Sequence, residues 1–183
     1  MTSSTPTTAS DFHRLLQEQI RNEFAASQQY VAVAVYFDTQ DLPQLAGRFY
    51  RQAAEERGHA MMIIQYFVDN TLEVTVPGIP DVVTQFDSVR APVELALEWE
   101  RAVTDQIRTL ARTARDSGDY LGEQFMQWFL KEQVEEVASM HTLLTIVDRA
   151  GDNLFNVENF VAREMSGVAR ADSTAPKQAD ADD

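Results

Sequence analysis

The sequence predicts an all-α protein: a four-helix bundle with a long crossover between helices two and three and a short fifth helix. Four long stretches repeat apolar side chains at helical spacing. Only 7 Gly and 6 Pro occur among 183 residues, which leaves room for long helices. Pro77, Gly78 and Pro80 fall together in one connection of about 20 residues, and a connection of that length can cross a whole bundle.

The first two helices are separated by a short break. The first is predicted from about Phe12 to Asp38, with Ser10 or Asp11 as its N-cap. The second is predicted from about Pro43 to Asp69, after the break Asp-Leu-Pro at 41–43. The inward stripe of the first is Leu16, Ile20, Glu23, Ser27, Tyr30 and Ala34. That of the second is Phe49, Ala53, Glu56, Ala60, Ile63 and Phe67.

Residues 70–90 form the predicted crossover. The run Leu-Glu-Val-Thr-Val alternates like a strand, and the prolines after it prevent a helix. The third helix follows from about Pro92, a favourable first-turn proline, to Asp116. Its stripe is Val93, Leu97, Glu100, Val103/Thr104, Ile107 and Leu110.

The last helices follow the turn Ser-Gly-Asp at 117–119. The fourth is predicted over about 120–150, with Gly151 as its C-cap, and the short fifth over about 154–164. The inward stripe of the fourth is Met126, Phe129/Leu130, Gln133, Val137, Met140 and Leu144. We therefore expect a flexible N-terminus at 1–10, one helical domain at 11–165, and a disordered Ala-, Asp- and Ser-rich tail at 166–183.

Composition narrows the function. The formal net charge is −14, which argues against a nucleic-acid partner and suits a protein that attracts cations. The chain has no Cys, so thiolate zinc sites, Fe–S clusters and thiol catalysis are excluded. No secretory signal and no apolar run of membrane-spanning length occur, so we expect a cytoplasmic protein without a membrane partner.

Polar, metal-capable side chains interrupt the apolar stripes of all four long helices. They are Glu23, Glu56 with His59, Glu100 and Gln133. A buried carboxylate without a partner is costly, no Arg or Lys lies in these stripes, and a bound cation is the simplest partner. Carboxylate and imidazole ligands without thiolate favour iron, manganese or zinc. A single inward Glu is more often a salt-bridged core residue, but five such positions on four helices favour a metal site.

A second acidic group flanks the first. It comprises Glu55 on the second helix and Glu132, Glu135 and Glu136 on the fourth. Such runs are usually solvated faces, and a further metal site is the alternative. Tyr30, two turns after Glu23, is a core tyrosine or a hydrogen-bond and electron donor beside the metals.

The chain resembles the bacterial non-haem ferritins over about residues 11–165. The motifs that carry the resemblance are Asn-Glu-Phe-Ala-Ala-Ser-Gln-Gln-Tyr (22–30), Glu-Glu-Arg-Gly-His-Ala (55–60), Glu-Trp-Glu-Arg (98–101) and Gln-Trp-Phe-Leu-Lys-Glu-Gln-Val-Glu-Glu (127–136). It implies a ferritin-like bundle, oxidation of Fe(II) by O₂ or hydrogen peroxide, and storage of Fe(III) mineral in a homo-oligomeric shell of 24 subunits.

The resemblance also implies roles for individual residues. Glu23, Glu56, His59 and one oxygen of Glu100 would bind the first and bridging iron positions of a di-iron centre, and Glu100 with Gln133 the second. Glu55, Glu132, Glu135 and Glu136 match a third iron site. Tyr30 matches a tyrosine beside the di-iron centre. By the same resemblance, Glu123 falls where acidic residues line the three-fold pores.

Two departures separate the chain from the haem-containing relatives. Those relatives carry a second Glu-x-x-His on helix four, whereas in this chain the two positions are Gln133 and Glu136. They also carry a haem-ligand Met two residues before the helix-two His, and that position is Arg57 here. We therefore expect no haem.

Alternatives to an iron-oxidising cage remain open. A cage or bundle could bind metal without turnover, as a buffer or mineral scaffold. A rubrerythrin-type oxidase would normally have a second Glu-x-x-His and often a Cys-based iron domain, and a small DNA-protecting relative would lack the fifth helix. A plain helical interaction protein would not need five inward metal-capable groups.

Overall fold

The computed structural model describes residues 10–165 and 172–180, and all regular structure within them is helical. Five α-helices occur in the described part: α1 (Asp11–Thr39), α2 (Pro43–Asp69), α3 (Arg90–Asp116), α4 (Tyr120–Ala150) and α5 (Leu154–Phe160). A π-helical turn (Val161–Met165) continues α5. The predicted all-α four-helix bundle with a crossover and a fifth helix is confirmed. The flexible N-terminus predicted at 1–10 lies, except for Ser10, outside the described residues.

The helix ends follow local chemistry. Ser10 caps α1 by accepting a hydrogen bond from the backbone N–H of His13 at 3.2 Å. Asp119 caps α4 in the same way, from the N–H of Gly122 at 2.8 Å. Gly118 precedes that cap with φ +72°, a backbone conformation that glycine adopts without strain.

The crossover lies along α1, as its length predicted. Gln17 accepts a hydrogen bond from the backbone N–H of Thr75 at 3.0 Å, and Gln29 exchanges two hydrogen bonds of 2.8 Å with the backbone of Val83. Although its first residues alternate in sequence, the crossover forms no strand, and the Gln side chains of α1 pair with the backbone groups of Thr75 and Val83.

The core consists of two apolar clusters at opposite ends of the bundle. One contains Phe37, Phe49 and Leu143, and α5 closes it through Val157. The other contains Ile20 of α1, together with residues from the end of α2, the C-terminal half of α3 and the first turns of α4. Between these clusters lies a layer of buried polar side chains. None of the helices in the described part combines the length and apolar character that crossing a membrane requires.

Candidate metal centre

The polar layer contains every residue predicted for the di-iron centre. Each is almost inaccessible to solvent, with no residue more than 4% exposed: Glu23, Glu56, His59, Glu100 and Gln133. They enter the layer from α1, α2, α3 and α4, and each follows or precedes apolar core residues at helical spacing. The bundle therefore brings together side chains that are far apart in sequence.

Glu23, Glu56 and His59 form the tightest group. One ligand atom from each lies within 4.8 Å of the others. His59 Nδ1 lies 3.1 Å from Glu56 Oε2. Glu23 Oε2 is buried and has no hydrogen-bond partner. With Glu100 and Gln133, these residues are called the closed cluster below.

Glu100 faces this group from α3. The Tyr30 hydroxyl donates a hydrogen bond to Glu100 Oε1, so the predicted tyrosine does lie beside the centre. Glu100 Oε2, like Glu23 Oε2, is buried without a partner. An unpartnered buried carboxylate oxygen is rare and requires an explanation, and an absent cation is the simplest one. Gln133 lies next to Glu100 and contacts Thr104, with 2.9 Å between its Oε1 and the Thr104 hydroxyl oxygen.

Burial and mutual repulsion govern protonation in the closed cluster. Burial and then the neighbouring Glu56 charge raise the pKa of Glu23, and likewise that of Glu100, to about 8. Burial alone would lower the pKa of His59, but the Glu56 carboxylate beside it raises that pKa to about 10. For Glu56 the balance is reversed: burial acts to raise its pKa, yet the His59 charge and hydrogen bond bring it below the usual value. The metal-free cluster therefore holds protons at neutral pH.

Two buried amides orient these carboxylates, and neither was predicted from the sequence. Gln19 donates to Glu23 at 2.8 Å. Gln52 donates both to Glu56 at 3.0 Å and to Glu136 at 2.8 Å. Each Gln precedes its Glu by four residues, and that i, i+4 spacing is the signal that would have found them. Such supporting contacts fix the position of a metal ligand.

The second acidic group lines a cavity of about 720 Å³ between α2 and α4, called the open cavity below. Glu55, His59 and Glu132 again place one ligand atom each within 4.8 Å of one another. Glu135 and Glu136 line the same cavity. Glu135 is exposed, whereas Glu136 is only 6% exposed and lies towards the closed cluster. His59 belongs to both groups.

A basic side chain lies near these carboxylates, although no Arg or Lys lies in the inward stripes. The half-buried Arg48 guanidinium lines the open cavity and interacts with the charges of Glu136 and Glu55. Its Nη2 donates to Ser139 on α4 at 2.7 Å. Arg48 was missed because it lies outside the inward stripes and reaches the cavity through its long side chain.

Part of the C-terminal tail, for which the sequence predicted disorder, has a described position over the open cavity. Asp172 accepts hydrogen bonds from Trp128 Nε1 at 3.1 Å and Lys131 Nζ at 3.4 Å. The Ala179 N–H donates to the Met61 carbonyl at 3.2 Å, and Ala175 packs on the apolar cluster that contains Ile20. Residues 172–180 thus make single contacts with α2 and α4 and form no helix or strand. The remainder of the tail lies outside the described residues.

The tail also contacts α2 at a buried glycine. A Cβ atom at Gly58 would lie only 2.9 Å from the Gln178 side-chain nitrogen, which is closer than real Cβ contacts allow. The absence of a side chain at Gly58 therefore gives Gln178 the space that it occupies.

Other candidates of the sequence analysis lie outside the centre. Glu123 forms an ion pair with Arg115 at the α3–α4 turn, with 2.7 Å between the atoms. Arg57, at the position of the haem-ligand methionine, is exposed, and its guanidinium lies 5.9 Å from the centre of the Phe24 ring.

The donor set favours hard or borderline cations. Carboxylate, imidazole and amide oxygen are available in the closed cluster, and the chain has no thiolate. The unpartnered oxygens of Glu23 and Glu100 lie among these donors. The arrangement can therefore hold cations in a water-poor layer while the open cavity offers a more hydrated acidic site beside it.

Comparison with known proteins gives a consistent answer. A family model described as a ferritin-like domain matches residues 14–150. The chain is 64% identical over 168 residues to ferritin BfrB of Mycolicibacterium smegmatis, with 92% of each chain covered. It is 62% identical, with the same coverage, to bacterioferritin BfrB of Mycobacterium tuberculosis. A bacterial non-heme ferritin of Staphylococcus saprophyticus is 35% identical over 75% of this chain and 83% of its own.

Solved structures agree with this. The fold matches that of an open-pore ferritin from the archaeon Archaeoglobus fulgidus with a TM-score of 0.81 and 26% sequence identity. That match covers 85% of this chain and 96% of the archaeal chain.

Proposed function

The chain belongs to the ferritin family, and from that premise we propose that it is an iron-storage ferroxidase. It oxidises Fe(II) at an intra-subunit di-iron centre and stores Fe(III) mineral within a cage of 24 subunits in the cytoplasm. Fe(II) and O₂ or hydrogen peroxide are its substrates. No haem is part of the proposal, because Arg57 stands at the position of the haem-ligand methionine.

One observation carries this proposal. Two carboxylate oxygens, Glu23 Oε2 and Glu100 Oε2, are buried without hydrogen-bond partners in the same polar layer. A water-poor site can keep such oxygens only if a cation or a proton meets them. Glu56, with one oxygen accepting from Gln52 and the other near His59, is held in place beside Glu23 of α1.

The residues of the closed cluster have separate roles in the proposed reaction. Glu23, Glu56 and His59 would bind one Fe(II), and Glu100 and Gln133 would bind a second. Tyr30 holds one Glu100 oxygen through its hydroxyl, which leaves the other for metal. Iron supplies the redox chemistry: two Fe(II) ions each give one electron, and O₂ takes both electrons with two protons to give hydrogen peroxide.

Proton movement accompanies binding. Because Glu23 and Glu100 have pKa values raised to about 8, they are protonated at neutral pH in the metal-free protein. Fe(II) binding displaces these protons, and the released protons balance the charge that enters the water-poor layer. The acidic surface, with a formal net charge of −14, favours the approach of Fe(II).

The open cavity gives the oxidised iron a path onward. Its carboxylates include half-exposed and exposed groups, and His59 connects it with the closed cluster. We assign Glu55, Glu132, Glu135 and Glu136 to the third iron site, where hydrated Fe(III) binds before mineral forms. A site with more water exchanges its metal more easily than a closed one.

The test is stopped-flow absorbance after protein loaded anaerobically with two Fe(II) per subunit is mixed with O₂. Light scattering after size exclusion gives the mass of the same particle. Ferric absorbance that rises much faster than in protein-free buffer, from a particle of 24 subunits, is the expected result. Stoichiometric binding without faster oxidation would leave a metal-buffering protein, and absence of binding would overturn the proposal.

A further inference from the structure

The Thr104 hydroxyl lies between two acceptors at the junction of α3 and α4. Its oxygen is 2.7 Å from the Glu100 backbone carbonyl, one turn earlier on α3. It is also 2.9 Å from Oε1 of Gln133 on α4. Thr104 is half-buried, and Gln133 is only 4% exposed. This contact joins the two residues proposed to bind the second iron.

A hydroxyl group has one hydrogen, so Thr104 cannot donate to both oxygens at once. If the hydrogen goes to Gln133 Oε1, the backbone carbonyl of Glu100 loses its side-chain donor. If the hydroxyl hydrogen goes to the Glu100 backbone carbonyl, the Thr104 oxygen presents only its lone pairs to Gln133. The amide of Gln133 must then turn by half a rotation so that its nitrogen donates to Thr104.

These two arrangements differ in what Gln133 offers to a cation. With Oε1 on Thr104, the amide nitrogen lies towards Glu100, and its hydrogen bond acts to lower the pKa of that carboxyl group. No Gln133 oxygen is then available on the Glu100 side. After the half rotation, Oε1 faces Glu100, while the amide nitrogen and the Thr104 hydroxyl both keep a hydrogen-bond partner.

We propose that Thr104 is a positioning residue that selects the metal-binding orientation of the Gln133 amide and thereby sets the affinity of the second iron position. The inference rests on the proposed function, because it assumes that Glu100 and Gln133 bind this iron. The exchange moves one hydroxyl hydrogen and one amide group, and no charge, so a cation can drive it at little cost. A carboxylate has two oxygens, but the Gln133 amide has only one. Binding at the second iron position therefore depends on the orientation that Thr104 gives to this amide.

The inference predicts a selective loss in the variant Thr104→Val, which keeps the shape of the side chain and removes the hydroxyl. In anaerobic calorimetric titration with Fe(II), the wild-type protein should bind two ions per subunit. In Thr104→Val, affinity for the second ion should fall about tenfold, the usual order for the loss of a supporting contact, while the first is unchanged. Thr104→Ser, which retains the hydroxyl, should restore the second.

The chain offers a matched control in Thr109. Its hydroxyl makes the same contact with a carbonyl one turn earlier on α3, at 2.9 Å from Asp105 O, but it is exposed on the helix surface. Thr109→Val should bind both ions as the wild-type protein does. A Thr104→Val protein with both affinities unchanged would overturn the inference, and so would an equal weakening of both. Absence of a second ion in the wild-type protein would instead count against the proposed di-iron centre.

Discussion

The closed cluster and the open cavity share His59 but differ in their access to water. In the closed cluster, Glu23 and Glu56 are each 1% exposed, and two carboxylate oxygens have no partner. In the open cavity, Glu55 is half-buried and Glu135 is exposed, so solvent can satisfy them. Under the proposed function, the same ligand types would serve two purposes: burial makes a cation necessary in one region, and hydration makes a bound cation exchangeable in the other.

The supporting contacts differ in the same direction. Buried amides hold the carboxylates of the closed cluster, since Gln19 donates to Glu23 and Gln52 donates to Glu56. The open cavity has a positive charge in addition to the Gln52 amide that donates to Glu136, because the Arg48 guanidinium interacts with the charges of Glu136 and Glu55. Fixed neutral donors preserve a fixed geometry, whereas a neighbouring cation lowers the net negative charge without fixing a coordination shape.

The largest predicted effect separates the two regions by mutation. Glu56→Gln keeps the shape of the side chain and removes the charge that faces His59. We expect the initial rate of Fe(II) oxidation to fall by more than about 100-fold, because a metal ligand contributes more than a supporting contact does. Glu132→Gln, the matching change in the open cavity, should lower that initial rate much less and act mainly on later turnovers. Stopped-flow absorbance measures both phases.

The surface variant Glu98→Gln is the control for loss of one negative charge, since Glu98 is exposed on α3. It should oxidise iron as the wild-type protein does. Equal losses of initial rate in Glu56→Gln and Glu132→Gln would contradict the division between the two regions.

The second prediction concerns the stability of the metal-free protein. Glu23 and Glu100 have folded pKa values of about 8 against the ordinary 4.5, and His59 has one of about 10 against 6.5. Groups with raised folded pKa values stabilise the native state fully below their unfolded pKa and lose that contribution as pH rises through the folded pKa. The metal-free protein should therefore become less stable between about pH 5 and pH 10.

Thermal unfolding in the presence of a chelator measures this trend. We expect the midpoint to fall by about 5 °C or more from pH 6 to pH 9. Glu23→Gln has no acid to ionise at that position and should fall less, whereas Glu132→Gln should fall nearly as much as the wild-type protein. An identical fall in Glu23→Gln would mean that the closed cluster does not control the trend.

The sequence predicted the bundle and its polar layer well because both depend on helical periodicity. An acidic residue such as Glu56 within an apolar stripe is visible without coordinates, and so is the long crossover with its prolines. The supporting residues were harder to find. The i, i+4 spacing links Gln52 to Glu56 within α2, but the contact of Gln52 with Glu136 and that of Thr104 with Gln133 on α4 come only from tertiary packing.

The position of residues 172–180 could not be predicted from the sequence. Its low hydrophobicity and lack of periodicity are typical of disorder, and composition alone contains no sign of a docking site. Its position depends on individual contacts: Asp172 with Trp128, and the Ala179 N–H with the Met61 carbonyl. Such contacts pair residues far apart in the chain, so a local pattern cannot reveal them.

The smallest predicted effect tests the tail against the cavity that it covers. Asp172→Ala removes the acceptor for Trp128 Nε1 and Lys131 Nζ, and with it the turn in which Asp172 accepts from the Thr174 N–H at 2.8 Å. These contacts lie near the surface, where single ion pairs contribute little. We expect an altered Trp128 environment, seen as a shift in tryptophan fluorescence, and a change of less than about threefold in later mineral growth.

The initial oxidation rate of Asp172→Ala should equal that of the wild-type protein, because Asp172 touches the open cavity and not the buried carboxylates. A large loss of initial rate would mean that the tail governs the closed cluster through His59, whose ring lies 5.5 Å from that of Trp128. The separation by water access would then fail, and the two regions would act as one site.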